Sequence, residues 1–132
     1  MRLPTVLLAD DHRETAEQLH SLLQPHYDVV ALVDNGRELV SEAARLTPDV
    51  IVTDISMPGL DGIEAVALIR RSDPAARIVF VTVHSEHMLV ERALAAGALG
   101  YVLKDAAGDD LVAAVDAALG GKRYVSSALV SP

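Results

Sequence analysis

The sequence predicts a doubly wound, three-layer α/β domain built on a parallel sheet, and three observations predict it. Short apolar runs alternate with amphipathic stretches along the chain, which is the pattern of repeated βα units. The third run, Val50-Ile51-Val52-Thr53, shows no polar alternation, as expected of a strand covered on both faces. Polar residues recur where the runs end: Asp10 and Asp11, Asp54, Thr82 and Lys104. In an open parallel sheet, that edge is where ligands bind.

The elements follow in order. Thr5–Ala9 reads as the first strand. Glu14–Leu23 is the first helix, with Ala16, Leu19, Leu22 and Leu23 on one face. Val29–Val33 is the second strand, and Gly36–Leu46 a helix with Leu39, Val40, Ala43 and Leu46 on a shared stripe. Val50–Asp54 is the third strand. Asp61 with Glu64 three residues on has the form of a capping box, opening a helix continued by Ile63, Val66, Ala67 and Arg70. Arg77–Thr82 is the fourth strand. The next helix runs from Glu86 to Ala96, where Gly97 suits a left-handed cap. Leu99–Leu103 is the fifth strand. Asp109–Leu119 is the last helix, with Leu111, Val112, Val115, Ala118 and Leu119 inward, closed by Gly120 and Gly121. Alternating strands and helices of this kind need crossover connections, which are right-handed almost without exception. The segment 120–132 shows no core role of its own.

Bulk composition narrows the function. At 132 residues the chain is one domain, and 51% apolar content with 3% aromatics makes its core one of Val, Leu, Ile and Ala. No apolar stretch approaches the ~20 residues that span a bilayer, and the first residues carry no signal-peptide pattern. The absence of cysteine rules out disulfides and thiolate metal sites and agrees with a cytoplasmic location. A net charge of -8 argues against direct contact with nucleic acid, which requires a basic patch. Three carboxylates, a hydroxyl and an ammonium converging on one sheet edge suit a divalent cation and a phosphoryl group instead.

Longer motifs sharpen this reading. The acidic pair at the end of the first strand, "DVIVTDISMPGLDGIEA" around Asp54, "VTVH" at the fourth strand and "GYVLKD" at the fifth together resemble the receiver domain of bacterial two-component response regulators. The run from Asp54 to Gly62 is the specific element; an Asp-Asp pair alone would be weak. The resemblance implies a flavodoxin-like (βα)5 fold with strand order 2-1-3-4-5 and a switch point beside Asp10, Asp11 and Asp54. It implies Asp54 as the phosphoacceptor and Mg²⁺ held by Asp11, Asp54 and the backbone carbonyl of Ser56, with Asp10 acting through water. Lys104 would contribute positive charge, and Thr82 a hydroxyl donor. Thr82 and Tyr101 would carry the switch: the hydroxyl moves toward the phosphoryl group, the ring turns inward, and the surface of the fourth helix, fifth strand and fifth helix is remodelled. Ser56 and His84 stand two residues beyond the nucleophile and the threonine, where receivers control access of water to the phosphoryl group. His12 reads as the start of the first helix rather than as a ligand.

Two features set the chain apart within that resemblance. Many receivers follow the lysine with a cis-proline, whereas Asp105 stands here, so the loop is expected to be trans and looser, with Lys104 less firmly placed. "GYVLKDAAGDDLVAAV" and "GGKRYVSSALVSP" resemble the LuxR/NarL-type subfamily, which carries a C-terminal helix-turn-helix. The expected division is a receiver over 1–120 and, over 121–132, the start of a linker toward a DNA-binding domain cut from this chain; the alternative is a natural single-domain regulator. The implied partners are a sensor histidine kinase, the chain's own helix-turn-helix domain and a second protomer. Catalysis would be confined to self-catalysed phosphoryl transfer and slow self-hydrolysis.

Two rival functions are separable. A phosphatase resembling haloacid dehalogenases would place its nucleophile after the first strand and a second Asp two residues on, but Asp54 follows the third strand and Ser56 stands at that offset. A phosphorylation-independent interaction domain on the same scaffold has no need of the full set Asp10, Asp11, Asp54, Thr82 and Lys104.

Overall fold

The computed structural model describes residues 2–129. The βα alternation appears as β1 (Thr5–Ala9), α1 (Arg13–Leu23), β2 (Asp28–Val33), α2 (Gly36–Leu46), β3 (Val50–Thr53), α3 (Gly62–Ser72), β4 (Ile78–Thr82), α4 (His87–Ala95), β5 (Gly100–Leu103) and α5 (Ala107–Leu119), followed by β6 (Tyr124–Val125). Short 3-10 turns cover Lys104–Ala106 and Ser127–Leu129. All strand pairs are parallel, in the order β2-β1-β3-β4-β5-β6. The expected doubly wound order of the first five strands is therefore present.

Period-two alternation divides the sheet between two cores. Leu7, Ala9, Ile51, Ile78, Phe80 and Tyr101 pack with α2, α3 and α4 on one face. Val6, Leu8, Val50, Val52, Val79, Val81 and Val102 pack with α1 and α5 on the other. Strands buried on both faces carry apolar side chains at every position but the last, where β3 and β4 end in the buried Thr53 and Thr82, which is why they read as apolar runs.

Local chemistry fixes several helix ends as expected. Asp61 and Glu64 form the reciprocal capping box of α3, with contacts of 2.8 and 3.1 Å. Helix α4 ends in a Schellman turn: Gly97 N–H reaches the Leu94 carbonyl and Ala98 N–H the Ala93 carbonyl, at Gly97 φ of 107°.

The inward face of α3 is Ile63, Ala65, Val66 and Ile69, while Ala67 is exposed. Two expectations need correction. Helix α5 begins at Ala107, directly after the 3-10 turn, so Asp109 and Asp110 occupy its first turn, where carboxylates favour the positive end of the helix dipole. The segment after Gly120 does join the core. Tyr124 and Val125 pair with Gly100 and Tyr101 along β5, Ser126 is buried, and Leu129 packs against the α2–α4 side.

Candidate functional site

Parallel register brings the strand ends to one edge. Ala9 pairs with Thr53, Thr53 with Phe80, and Thr82 with Leu103. The residue following each of β1, β3 and β5 therefore emerges on the same side: Asp10, Asp54 and Lys104. Asp10 and Asp54 are 2% and 4% exposed, far more buried than a carboxylate tolerates without compensation.

The compensation is Lys104. Its Nζ lies 2.7 Å from Asp54 Oδ2, as donor, and 2.9 Å from Asp10 Oδ2. The second contact is an ion pair without hydrogen-bond alignment, which leaves Asp10 Oδ2 a buried oxygen with no hydrogen bond. The remaining oxygens are anchored by backbone: Asp10 Oδ1 accepts from His12 N–H at 2.8 Å and Asp54 Oδ1 from Ile55 N–H at 2.7 Å. Burial works against the Lys104 charge, yet the Asp54 hydrogen bond and the close negative charges of Asp54 and Asp10 outweigh it and raise its pKa above the usual lysine value. The ammonium is thus a fixed positive charge at neutral pH. Asp105 follows across a trans peptide. The loop that follows Lys104 takes the form of a 3-10 turn running into α5.

The glycine after Asp61 is sterically required. A Cβ on Gly62 would sit 2.0 Å from the Asp54 carbonyl oxygen, so α3 can approach the end of β3 only with glycine there. Gly59 adopts φ of 73°, the left-handed turn conformation.

Asp10, Asp11, His12 and Asp54 each offer a ligand atom, all within 4.8 Å of one another. Asp11 and His12 are exposed, and His12 Nδ1 lies 3.1 Å from Asp11 Oδ1. His12 caps α1 through its backbone, as expected, while its ring also joins this cluster. The set fits a hard divalent cation: the carboxylates supply oxygen donors, one buried oxygen lacks a hydrogen bond, and one flank opens to solvent in a hollow lined by Asp11, Ser56, Met57 and Asp61.

A second group centres on His84, which follows β4. His84 Nε2 lies 2.7 Å from Ser56 Oγ, and its Nδ1 lies 3.5 Å from Glu86 Oε2. Its N–H donates to Thr82 Oγ1 at 3.3 Å, and its carbonyl accepts from the Tyr101 hydroxyl at 2.7 Å. Tyr101 is fully buried, with its ring 6.4 Å from that of Phe80. Burial first, then the charges of Glu86 and Asp54, push the Tyr101 hydroxyl up to about 12. The site residues singled out in the sequence thus lie in two groups: Asp10, Asp11, Asp54 and Lys104 in one, and Ser56, Thr82, His84 and Tyr101 in the other. Sequence reasoning missed Glu86, for which local sequence carries no signal, and the place of His12 in the cluster, which adjacency to two acids does signal.

Comparison with known proteins agrees with this fold. The family model of the response regulator receiver domain matches residues 6–116. The chain is 38% identical, over 83% of its length and 51% of the relative's, to the transcriptional regulatory protein LnrK of Bacillus subtilis. It is 36% identical to the response regulator UvrY of Escherichia coli, over 92% of this chain and 57% of that one. A solved two-component response regulator of the LuxR family from Aurantimonas superposes with a TM-score of 0.92 at 37% identity, covering 96% of this chain and 92% of that one. The chain spans about half the length of the curated relatives it matches. Among the described residues no helix is long and apolar enough to cross a membrane.

Proposed function

The chain belongs to the response regulator receiver domain family, and on that premise we propose that Asp54 accepts a phosphoryl group from the phosphohistidine of a sensor kinase. The family is one of signalling proteins rather than turnover enzymes. The observation that carries the proposal is a nearly buried carboxylate at the end of β3 that touches a lysine ammonium and lies within 4.8 Å of two further carboxylates.

An Asp54 carboxylate oxygen attacks phosphorus, the P–N bond to the donor imidazole breaks, and the product is an acyl phosphate. Two negative groups must approach for this to happen. Mg²⁺, held by Asp11, Asp54 and the Ser56 backbone carbonyl with Asp10 acting through water, would supply charge that offsets the repulsion. Lys104, bridging Asp10 and Asp54 before phosphorylation, is placed to follow Asp54 Oδ2 and hold a phosphoryl oxygen. Thr82 supplies a hydroxyl donor, and its present link to His84 N–H is the contact exchanged. That exchange tugs the backbone which accepts the Tyr101 hydroxyl, coupling the site to α4, β5 and α5. Hydrolysis reverses the state: water attacks phosphorus, the acyl P–O bond breaks, and phosphate leaves a free carboxylate. His84 and Ser56, joined across the approach, set how readily water enters.

In the full-length protein, output passes from residues beyond 120 to a C-terminal helix-turn-helix domain that binds DNA, with a second protomer as a further partner. The test is incubation with acetyl phosphate. The expected result is an Mg²⁺-dependent mass gain of one phosphoryl group per chain, stable in acid and lost in base. No adduct with Mg²⁺ present, or sustained hydrolysis of a generic phosphate ester, would overturn the reading.

A further inference from the structure

We propose that Ser126 is a positioning residue for Lys104, clamping the end of β5 from which the lysine reaches the phosphorylation site. The proposal rests on the phosphoacceptor reading of Asp54 and assigns a role to a segment outside the residues 6–116 that match the family. The β5–β6 ladder runs through Gly100–Tyr124 and Tyr101–Val125, with Tyr124 N–H donating to the Leu99 carbonyl and Ser126 N–H to the Tyr101 carbonyl. Past that point β6 has no further paired residue, and the Leu103 N–H on the sheet edge takes the Ser126 hydroxyl as its acceptor at 3.1 Å.

The hydroxyl is itself held. Ser126 Oγ donates to Asp110 Oδ2 at 2.9 Å, and Tyr124 OH donates to Asp110 Oδ1 at 2.8 Å. One carboxylate on the first turn of α5 thus orients both side chains, and Ser126 is 1% exposed. A hydroxyl that accepts from one fixed partner and donates to another has no rotational freedom left. The residue it ties immediately precedes Lys104, whose long side chain must set one ammonium against two carboxylates. With Asp105 rather than a ring-locked residue next in line, that strand end is held by the clamp behind it. In a preorganised site, a misplacement of about an ångström costs up to ~100-fold in rate.

The experiment compares wild type with Ser126→Ala, Ser126→Thr and the exposed neighbour Ser127→Ala. Read-outs are labelling by acetyl phosphate, Mg²⁺ affinity and amide hydrogen exchange at Leu103. In Ser126→Ala we expect labelling slower by roughly 5-fold, a fraction of the misplacement limit, faster Leu103 exchange and an Mg²⁺ affinity that does not fall, since the clamp touches neither Asp11 nor Asp54 and a displaced Lys104 leaves more negative charge for the cation. Ser126→Thr keeps the hydroxyl and should restore the rate; Ser127→Ala should match wild type. Asp110→Ala provides a second route if Ser126→Ala does not fold, because it frees the hydroxyl without removing it and should show the same split. Unchanged labelling in Ser126→Ala, or equal loss of rate and Mg²⁺ affinity that threonine does not rescue, would overturn the clamp. Labelling that persists in Asp54→Asn would instead overturn the phosphoacceptor reading.

Discussion

Replacing Lys104 by methionine removes the ammonium while keeping a side chain of similar length, and so tests what holds two buried carboxylates side by side. The contacts are 2.7 Å to Asp54 and 2.9 Å to Asp10. At an effective dielectric of ~20, a gross attraction of about 6 kcal/mol per pair follows. Desolvation cancels most of it, but deleting one partner of a buried pair leaves the others uncompensated, at a cost of about 3–5 kcal/mol. The Lys104 side chain is 13% exposed, so water reaches part of the site and the expected loss shifts below that range, to about 2–4 kcal/mol. The remaining negative charges repel, and a divalent cation offers the relief that lysine gave. Urea unfolding with EDTA and again with Mg²⁺ measures both effects. The variant should lose about 2–4 kcal/mol without metal and recover more from Mg²⁺ than wild type gains. A variant within about 0.5 kcal/mol of wild type without metal, the range of an ordinary surface change, would refute the reasoning, as would equal Mg²⁺ stabilisation of both.

Three further outcomes follow. His84→Ala should change the phosphoryl lifetime severalfold without altering Mg²⁺ affinity, because the ring meets Ser56 Oγ and Glu86 rather than the three carboxylates; equal decay rates, followed by loss of the adduct, would contradict this. Gly62→Ala should destabilise by roughly 1–3 kcal/mol through overpacking and slow labelling, since the new Cβ falls 2.0 Å from the Asp54 carbonyl oxygen; urea unfolding checks the first effect and adduct formation the second. All three tyrosines have raised pKa values, Tyr101 to about 12. The unfolded chain therefore ionises near pH ~10 while the folded one holds its protons, so stability is full below that pH and falls as pH rises toward about 12. Ultraviolet titration should show tyrosinate absorbance appearing at lower pH in urea than in buffer, and coincident curves would contradict the burial of Tyr101.

The strands and the acidic site were legible for the same reason. A strand covered on both faces carries little polar character before its end, here only Thr53 and Thr82 at the last positions of β3 and β4, so Asp10, Asp54 and Lys104 mark both the strand ends and the site. Helix caps built from adjacent residues, Asp61 with Glu64 and Gly97 after α4, were legible because their partners lie within one turn. What sequence did not reveal depends on distant partners. Strand β6 has two residues, too few for a period, and exists because the edge of β5 offers backbone groups to pair. Ser126 appeared as one more polar residue in a terminal segment, since Asp110 and Leu103 lie 16 and 23 positions away. The same holds for His84, whose position two residues beyond Thr82 was readable but whose carbonyl contact with Tyr101 was not.

The most direct measurement locates the phosphoryl group on the chain. After incubation with acetyl phosphate and Mg²⁺, borohydride reduces an aspartyl phosphate to homoserine, and peptide mass mapping identifies the residue converted. Homoserine at position 54 and at no other aspartate is the predicted result. Conversion at Asp10 or Asp11, or a labelled chain whose Asp54 is intact, would contradict the assignment of the β3 carboxylate as acceptor.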